Sequence, residues 1–288
     1  MQHFIDVAEV RDALGAVTAP TKLLDVRWSL TEPDGRPAYL AGHLPGAVWV
    51  DLEHELSRAG RPDEGRHPLP ELADLQASAR RWGLDDGDLV VVYDDANGLA
   101  AARAWWLLRR AGVDVRVLDG GLTAWRAAGL PLESGEVVSA PGAVTLAEAT
   151  GDTLTIDEAA AFPASGVLID SRAAERFRGE VEPLDPIAGH IPGAVNVPMV
   201  AVVEDDGRVR DAAALRAAFA EAGVQPGVPV ATYCGSGVTA AHTALVLAEL
   251  GIDATLFPGS WSAWSNTPGM PIAVGGAGSE QISGPVPS

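Results

Sequence analysis

Short apolar runs alternate along this chain with longer amphipathic stretches, and the alternation occurs twice. "LVVVY", Leu89 to Tyr93, stands before "LAAARAWWLLRRAG"; "VATY", Val230 to Tyr233, stands before "VTAAHTALVLAELG". This is the βαβ rhythm of a parallel sheet flanked by helices. The landmarks around it also recur in order. Asp25 pairs with Asp170, His43 with His190, Tyr93 with Tyr233 and Trp125 with Trp264, at separations of 139 to 147 residues. A repeat of that period is a duplicated domain, since domains run to about 100–200 residues. The pattern predicts an α/β fold of two tandem domains, residues 1–132 and 151–274. Residues 133–150 lack periodicity and join them, and "GGAGSEQISGPVPS" at 275–288 reads as a flexible tail.

Composition narrows the function. Twenty Lys and Arg stand against 39 Asp and Glu in 288 residues, a net charge of −19, which repels nucleic acid and anionic lipid. No apolar run approaches the roughly 18 residues of a membrane span, and the first residues do not read as a signal peptide. Together with a single cysteine these features predict a cytoplasmic protein that meets neither membrane nor nucleic acid. The six histidines are dispersed, so neither metal nor cofactor is expected.

The single cysteine, Cys234, falls between a strand and a helix, at the strand ends where parallel sheets bind ligands. Gly235 and Gly237 let the loop curl, and the N–H groups of Val238 and Thr239 open the helix; such a cradle stabilises negative charge and favours the attacking thiolate. A lone cysteine is ordinarily inert packing. Here the repeat supplies contrast: the first half reads "YDDANGLAA" where the second reads "YCGSGVTAA", with Asp94 in place of Cys234. One loop is specialised, so the second half is the active one.

"GHLPGA", "GHIPGA", "LIDSRAAERFRG" and "CGSGVTA" resemble the tandem-domain rhodanese family of thiosulfate and 3-mercaptopyruvate sulfurtransferases. The resemblance implies two rhodanese-like domains, the first without a catalytic cysteine. Cys234 would take sulfane sulfur as a persulfide from a small donor and pass it to cyanide, a thiol or a thioredoxin-like reductant. It implies that Arg176 binds the donor's anionic end, and that Ser236, His67 and Glu53 assist proton transfer. Glu53 stands where the family usually has Asp, which leaves neighbouring Asp51 as a substitute. Arg172 and Arg178 read as surface charges, His242 as packing, His43, His190, Asp25 and Asp170 as fold-supporting groups, and Trp28, Trp261 and Trp264 as possible cleft residues. The second donor arginine of mercaptopyruvate enzymes is replaced by Leu184, while the neutral Gly235–Ser236 loop departs from the basic loop of thiosulfate enzymes. Weighting the loop predicts a modest preference for 3-mercaptopyruvate, shifted toward thiosulfate by Gly235→Arg with Ser236→Lys; a thiosulfate-preferring enzyme is the alternative. A cysteine phosphatase needs a loop-closing arginine where Ala240 stands. A non-catalytic binding module would not need Cys234 together with Arg176.

Overall fold

The computed structural model describes residues 2–16, 21–276 and 281–283. Two compact units emerge, one of residues 1–58, 69–149 and 203–209, the other of residues 59–68, 150–202 and 210–288. Each half of the chain therefore contributes a short segment to the unit built mainly by the other.

The first unit contains β1 (Phe4–Ile5), α1 (Val7–Gly15), β2 (Thr21–Asp25), α2 (Arg36–Ala41), β3 (Val48–Trp49), α3 (Leu52–Glu55), α4 (Leu72–Arg81), β4 (Leu89–Tyr93), α5 (Leu99–Arg110), β5 (Asp114–Leu118) and α6 (Gly121–Ala127). Its sheet has the order β1-β5-β4-β2-β3, all parallel. The second unit contains α7 (Ile156–Ala161), β6 (Val167–Asp170), α8 (Ala174–Phe177), β7 (Val195–Asn196), α9 (Ala212–Glu221), β8 (Val230–Tyr233), α10 (Val238–Glu249), β9 (Ala254–Leu256), α11 (Ser260–Asn266), β10 (Ile272–Val274) and β11 (Gln281–Ser283). Its parallel sheet runs β7-β6-β8-β9. The fifth strand shrinks to one parallel bridge, Thr153 to Leu256. Both sheets thus share one topology, as the duplicated pattern predicts.

Residues 133–150 form no helix or strand beyond an isolated bridge at Glu133. Of the expected tail, 277–280 and 284–288 lie outside the described residues, and β11 pairs antiparallel with β10. No helix among the described residues is long and apolar enough to cross a membrane.

The duplicated landmarks hold each unit together in the same way. Asp25 and Asp170 are fully buried, and each takes a guanidinium two residues on, at 2.7 Å from Arg27 and 2.6 Å from Arg172. Both arginines reach onward to a carbonyl, Gly42 O at 2.9 Å and Gly189 O at 2.7 Å. Removing one member of such a buried pair costs about 3–5 kcal/mol. Arg172, expected at the surface, is 4% exposed, because this ion pair needs it inside; Arg178 is at the surface, paired with Glu180. His43 and His190 are buried, with Nδ1 at 2.9 Å from Tyr39 O and 2.7 Å from Phe177 O. Trp28, Trp261 and Trp264 are buried, Trp261 and Trp264 in the core with Tyr233 and Phe257.

Candidate active site

β8 ends at the buried Tyr233, and the chain turns through residues 234–237 before α10 begins. Gly237 caps that helix at φ +85°, a conformation that strains any residue with a Cβ. The turn brings the Gly237 N–H to the Cys234 Sγ at 3.1 Å. Cys234 is 1% exposed. Its own N–H donates to Ser260 Oγ at 3.2 Å, and its carbonyl accepts from Trp261 N–H at 2.9 Å. Gly235 O accepts from Ser262 N–H at 2.9 Å, so the start of α11 fastens the loop. Val238, Thr239 and Ala240 form the first turn of α10, whose N–H groups have no acceptor within their own helix.

Residues 59–68 belong to this second unit although they lie far away in sequence. Gly65, at φ +91°, lies so close to Gly259 that an added Cβ would stand 2.6 Å from its carbonyl oxygen. The next residue donates its backbone N–H to Ser262 Oγ at 3.1 Å. This docking sets Arg66 and His67 beside the cysteine loop. His67 and Ser236 are both buried, with Nδ1 and Oγ 2.7 Å apart. Arg66 ion-pairs through Nη1 with Asp185. Arg176 Nη2 bonds Glu182 at 2.6 Å and Asp185 at 3.3 Å. Burial pushes the Asp185 carboxyl up, and Glu182 adds to this, while Arg66 and Arg176 pull it down.

A Cβ built on Gly235 would stand 3.0 Å from Arg66 Nη2 and 3.6 Å from Arg176 Nη1. Two guanidinium groups therefore converge on the residue that follows Cys234. The pairing of Gly235→Arg with Ser236→Lys, expected to add charge here, meets an occupied position: the side chain at 235 would displace Arg66, and that at 236 would lose the contact to His67.

Cys234, Gly235, Ser236, Gly237, Val238, Thr239, Arg176 and His67 thus lie in one unit. Glu53 belongs to the other, where its carboxylate accepts from Trp28 Nε1 at 2.6 Å. Asp51, the substitute for it, caps α3 by accepting from Glu53 N–H at 3.0 Å. Leu184 is 44% exposed. Arg66, Glu182 and Asp185 went unremarked in the sequence. The one available signal was that Arg66 adjoins His67.

The rhodanese-like domain family matches residues 6–128 and again 155–267. This chain belongs to the rhodanese-like family. SseB of Mycobacterium tuberculosis, which carries a provisional name as a thiosulfate sulfurtransferase, is 52% identical over 280 residues, covering 96% of this chain and 98% of its own. The human 3-mercaptopyruvate sulfurtransferase is 36% identical over 267 residues, covering 88% of this chain and 89% of its own. The crystal structure of SseA from Escherichia coli, a 3-mercaptopyruvate sulfurtransferase, superposes with a TM-score of 0.78 at 33% identity, covering 91% of this chain and 99% of that one. Membership of this family makes the chain a sulfurtransferase.

Proposed function

We propose that this rhodanese-like sulfurtransferase carries sulfane sulfur on Cys234, loading it from thiosulfate or 3-mercaptopyruvate and releasing it to cyanide or a thiol. A thioredoxin-like dithiol in the cytoplasm is the acceptor class we favour, since its second thiol can release the sulfur. The observation that carries this reading is the Gly237 N–H directed at the Cys234 Sγ beside the open first turn of α10. A persulfide is an anion, and backbone donors fixed in place stabilise it without reorganising.

The chemistry is a double displacement. The Cys234 thiolate attacks the donor's outer sulfur; the new S–S bond forms as the donor's own bond to that sulfur breaks, its electron pair leaving with sulfite or with the pyruvate enolate. The acceptor then attacks the outer sulfur and Cys234 returns as thiolate. Arg176 holds the donor's anionic group. In the mercaptopyruvate half-reaction the thiol proton must reach the enolate carbon. Ser236 and His67, 2.7 Å apart, form a relay that can carry it.

Intact mass tests the reading. After incubation with either donor the protein should gain one sulfur atom, lose it on adding cyanide, and gain none as Cys234→Ser. A wild-type protein that never gains sulfur would refute the assignment.

A further inference from the structure

We infer that Arg66 is a donor-binding residue that sets the choice between sulfur donors by favouring thiosulfate. The inference rests on the sulfurtransferase reading above and names a specificity determinant of that same site.

Three observations carry it. Arg66 Nη2 and Arg176 Nη1 stand 3.0 and 3.6 Å from the position that a Cβ on Gly235 would take, next to Cys234, so an anion there meets two guanidinium forks. Arg66 is also held in place, its backbone by Ser262 Oγ and one arm of its guanidinium by Asp185. Finally, its Nε is buried and has no hydrogen-bond partner among the described residues, and the side chain as a whole keeps 29% exposure. A desolvated cationic donor with unused capacity is costly unless it receives an anion. Asp185 and Glu182 are shared among Arg66, Arg172 and Arg176, three cations on two carboxylates, Arg172 being further matched by Asp170.

The placement separates the two donors. In thiosulfate the sulfonate is bonded directly to the sulfur under attack, and the departing sulfite takes the bonding pair and both negative charges. Cationic compensation is then needed next to Cys234, where Arg66 lies. In 3-mercaptopyruvate the carboxylate is separated from the sulfur by two carbons, and the pair released on C–S cleavage is quenched by a proton. Arg176 with the Ser236–His67 pair suffices for that donor. The neutral loop residues therefore do not leave Cys234 without guanidinium groups nearby, and on this proposal the protein uses thiosulfate efficiently because of Arg66, against the mercaptopyruvate preference that the loop alone suggests.

The experiment measures kcat and KM for both donors in wild type, Arg66→Gln, Arg66→Lys and Asp185→Asn, with melting curves to confirm folding. Arg66→Gln should lower kcat/KM for thiosulfate about 10- to 100-fold, the range of one charge-assisted hydrogen bond, with both KM and kcat affected. The ratio of thiosulfate to mercaptopyruvate use should fall at least about fivefold on the same ground. Arg66→Lys should restore part of it. Asp185→Asn, which keeps both guanidinium groups, should not move the ratio toward mercaptopyruvate. Equal losses with both donors, reproduced by Asp185→Asn, would make Arg66 a strut for Asp185 and overturn the proposal, as would unchanged kinetics in Arg66→Gln. Sulfur loading of Cys234 by mass is read in parallel: if wild type loads from neither donor, the sulfurtransferase reading fails; if it loads while the donor ratio is insensitive to Arg66, only this inference fails.

Discussion

The loops after β4 and β8 solve one electrostatic problem in two ways. Both follow a buried tyrosine and end on a left-handed glycine, Gly98 at φ +78° and Gly237 at φ +85°. In the first unit, the cradle is filled by its own chain. Asp94 Oδ1 accepts from Ala96 and Gly98 N–H at 2.8 and 2.9 Å, and Oδ2 from Ala100 and Ala101 N–H at 2.8 and 2.9 Å. Burial pushes the Asp94 carboxyl up, and those N–H groups pull it down; both oxygens only accept, as an ionised carboxylate does. In the second unit the Gly237 N–H, counterpart of that of Gly98, meets a sulfur instead. Counting from the glycine caps, Thr239 and Ala240 correspond to Ala100 and Ala101. The N–H groups of Thr239 and Ala240 thus stand where those of Ala100 and Ala101 bind the Asp94 carboxylate. Position 260 differs in the same sense. Gly121 has φ +52° in the first unit and Ser260 φ +53° in the second, where a side chain in that conformation costs about 1–3 kcal/mol. What the second unit gains is a hydroxyl that accepts from the nucleophile's own N–H.

Disarming each loop should therefore fail in a different readout. Cys234→Ser should reduce sulfur transfer to background while melting stays close to wild type, since the exchange is nearly isosteric. Asp94→Ala should leave sulfur transfer per folded molecule intact. It should destabilise the protein by about 3 kcal/mol in denaturant unfolding, because buried N–H groups lose a charged acceptor. Wild-type stability in Asp94→Ala would break the comparison, by showing that the carboxylate is dispensable to its loop.

Much of this was legible in the sequence, and the unread part has a definite cause. Both sheets follow from apolar runs such as "LVVVY", since periodicity is a local property. Cys234, Gly235 and Gly237 stand out for the same reason, being contiguous and contrasted with Asp94 in the repeat. Arg66 was illegible because residues 59–68 sit in the first half of the chain and fold with the second unit. No local pattern records such an exchange. Arg172, taken alone, looks like a surface charge; the Asp-x-Arg spacing that it shares with Asp25 and Arg27 is the local signal of its buried pair. The same limit applied to position 235, where the sequence shows an empty glycine and the fold fills the space beside it with guanidinium groups.

The next sharpest contrast is the proton supply proposed for the second unit's loop. His67→Gln removes the ring that contacts Ser236 Oγ. It should lower kcat for mercaptopyruvate about 10²-fold, the lower range of general acid–base catalysis. Thiosulfate turnover should change far less, because no proton moves when sulfite leaves. Equal losses with both donors would reduce His67 to a packing role.

The smallest effect concerns the helices behind the two loops. By the glycine caps, His242 on α10 corresponds to Arg103 on α5, and both are buried. Arg103 donates from Nε to Leu56 O at 3.2 Å. His242 Nδ1 has no hydrogen-bond partner among the described residues, and burial pushes the imidazole down from 6.5 to about 4. The folded protein therefore holds His242 neutral while the unfolded chain takes up a proton near pH 6.5. Below that pH the unfolded state binds more protons, so stability rises with pH: it is whole above about 6.5 and is lost as pH falls toward 4. Between pH 6.5 and 5 the loss from this one group should be about 2 kcal/mol, at 1.36 kcal/mol per pH unit. His242→Leu should flatten the stability profile over that interval by the same amount, measured by urea unfolding at half-unit steps. A slope unchanged by His242→Leu would mean that acid sensitivity arises elsewhere.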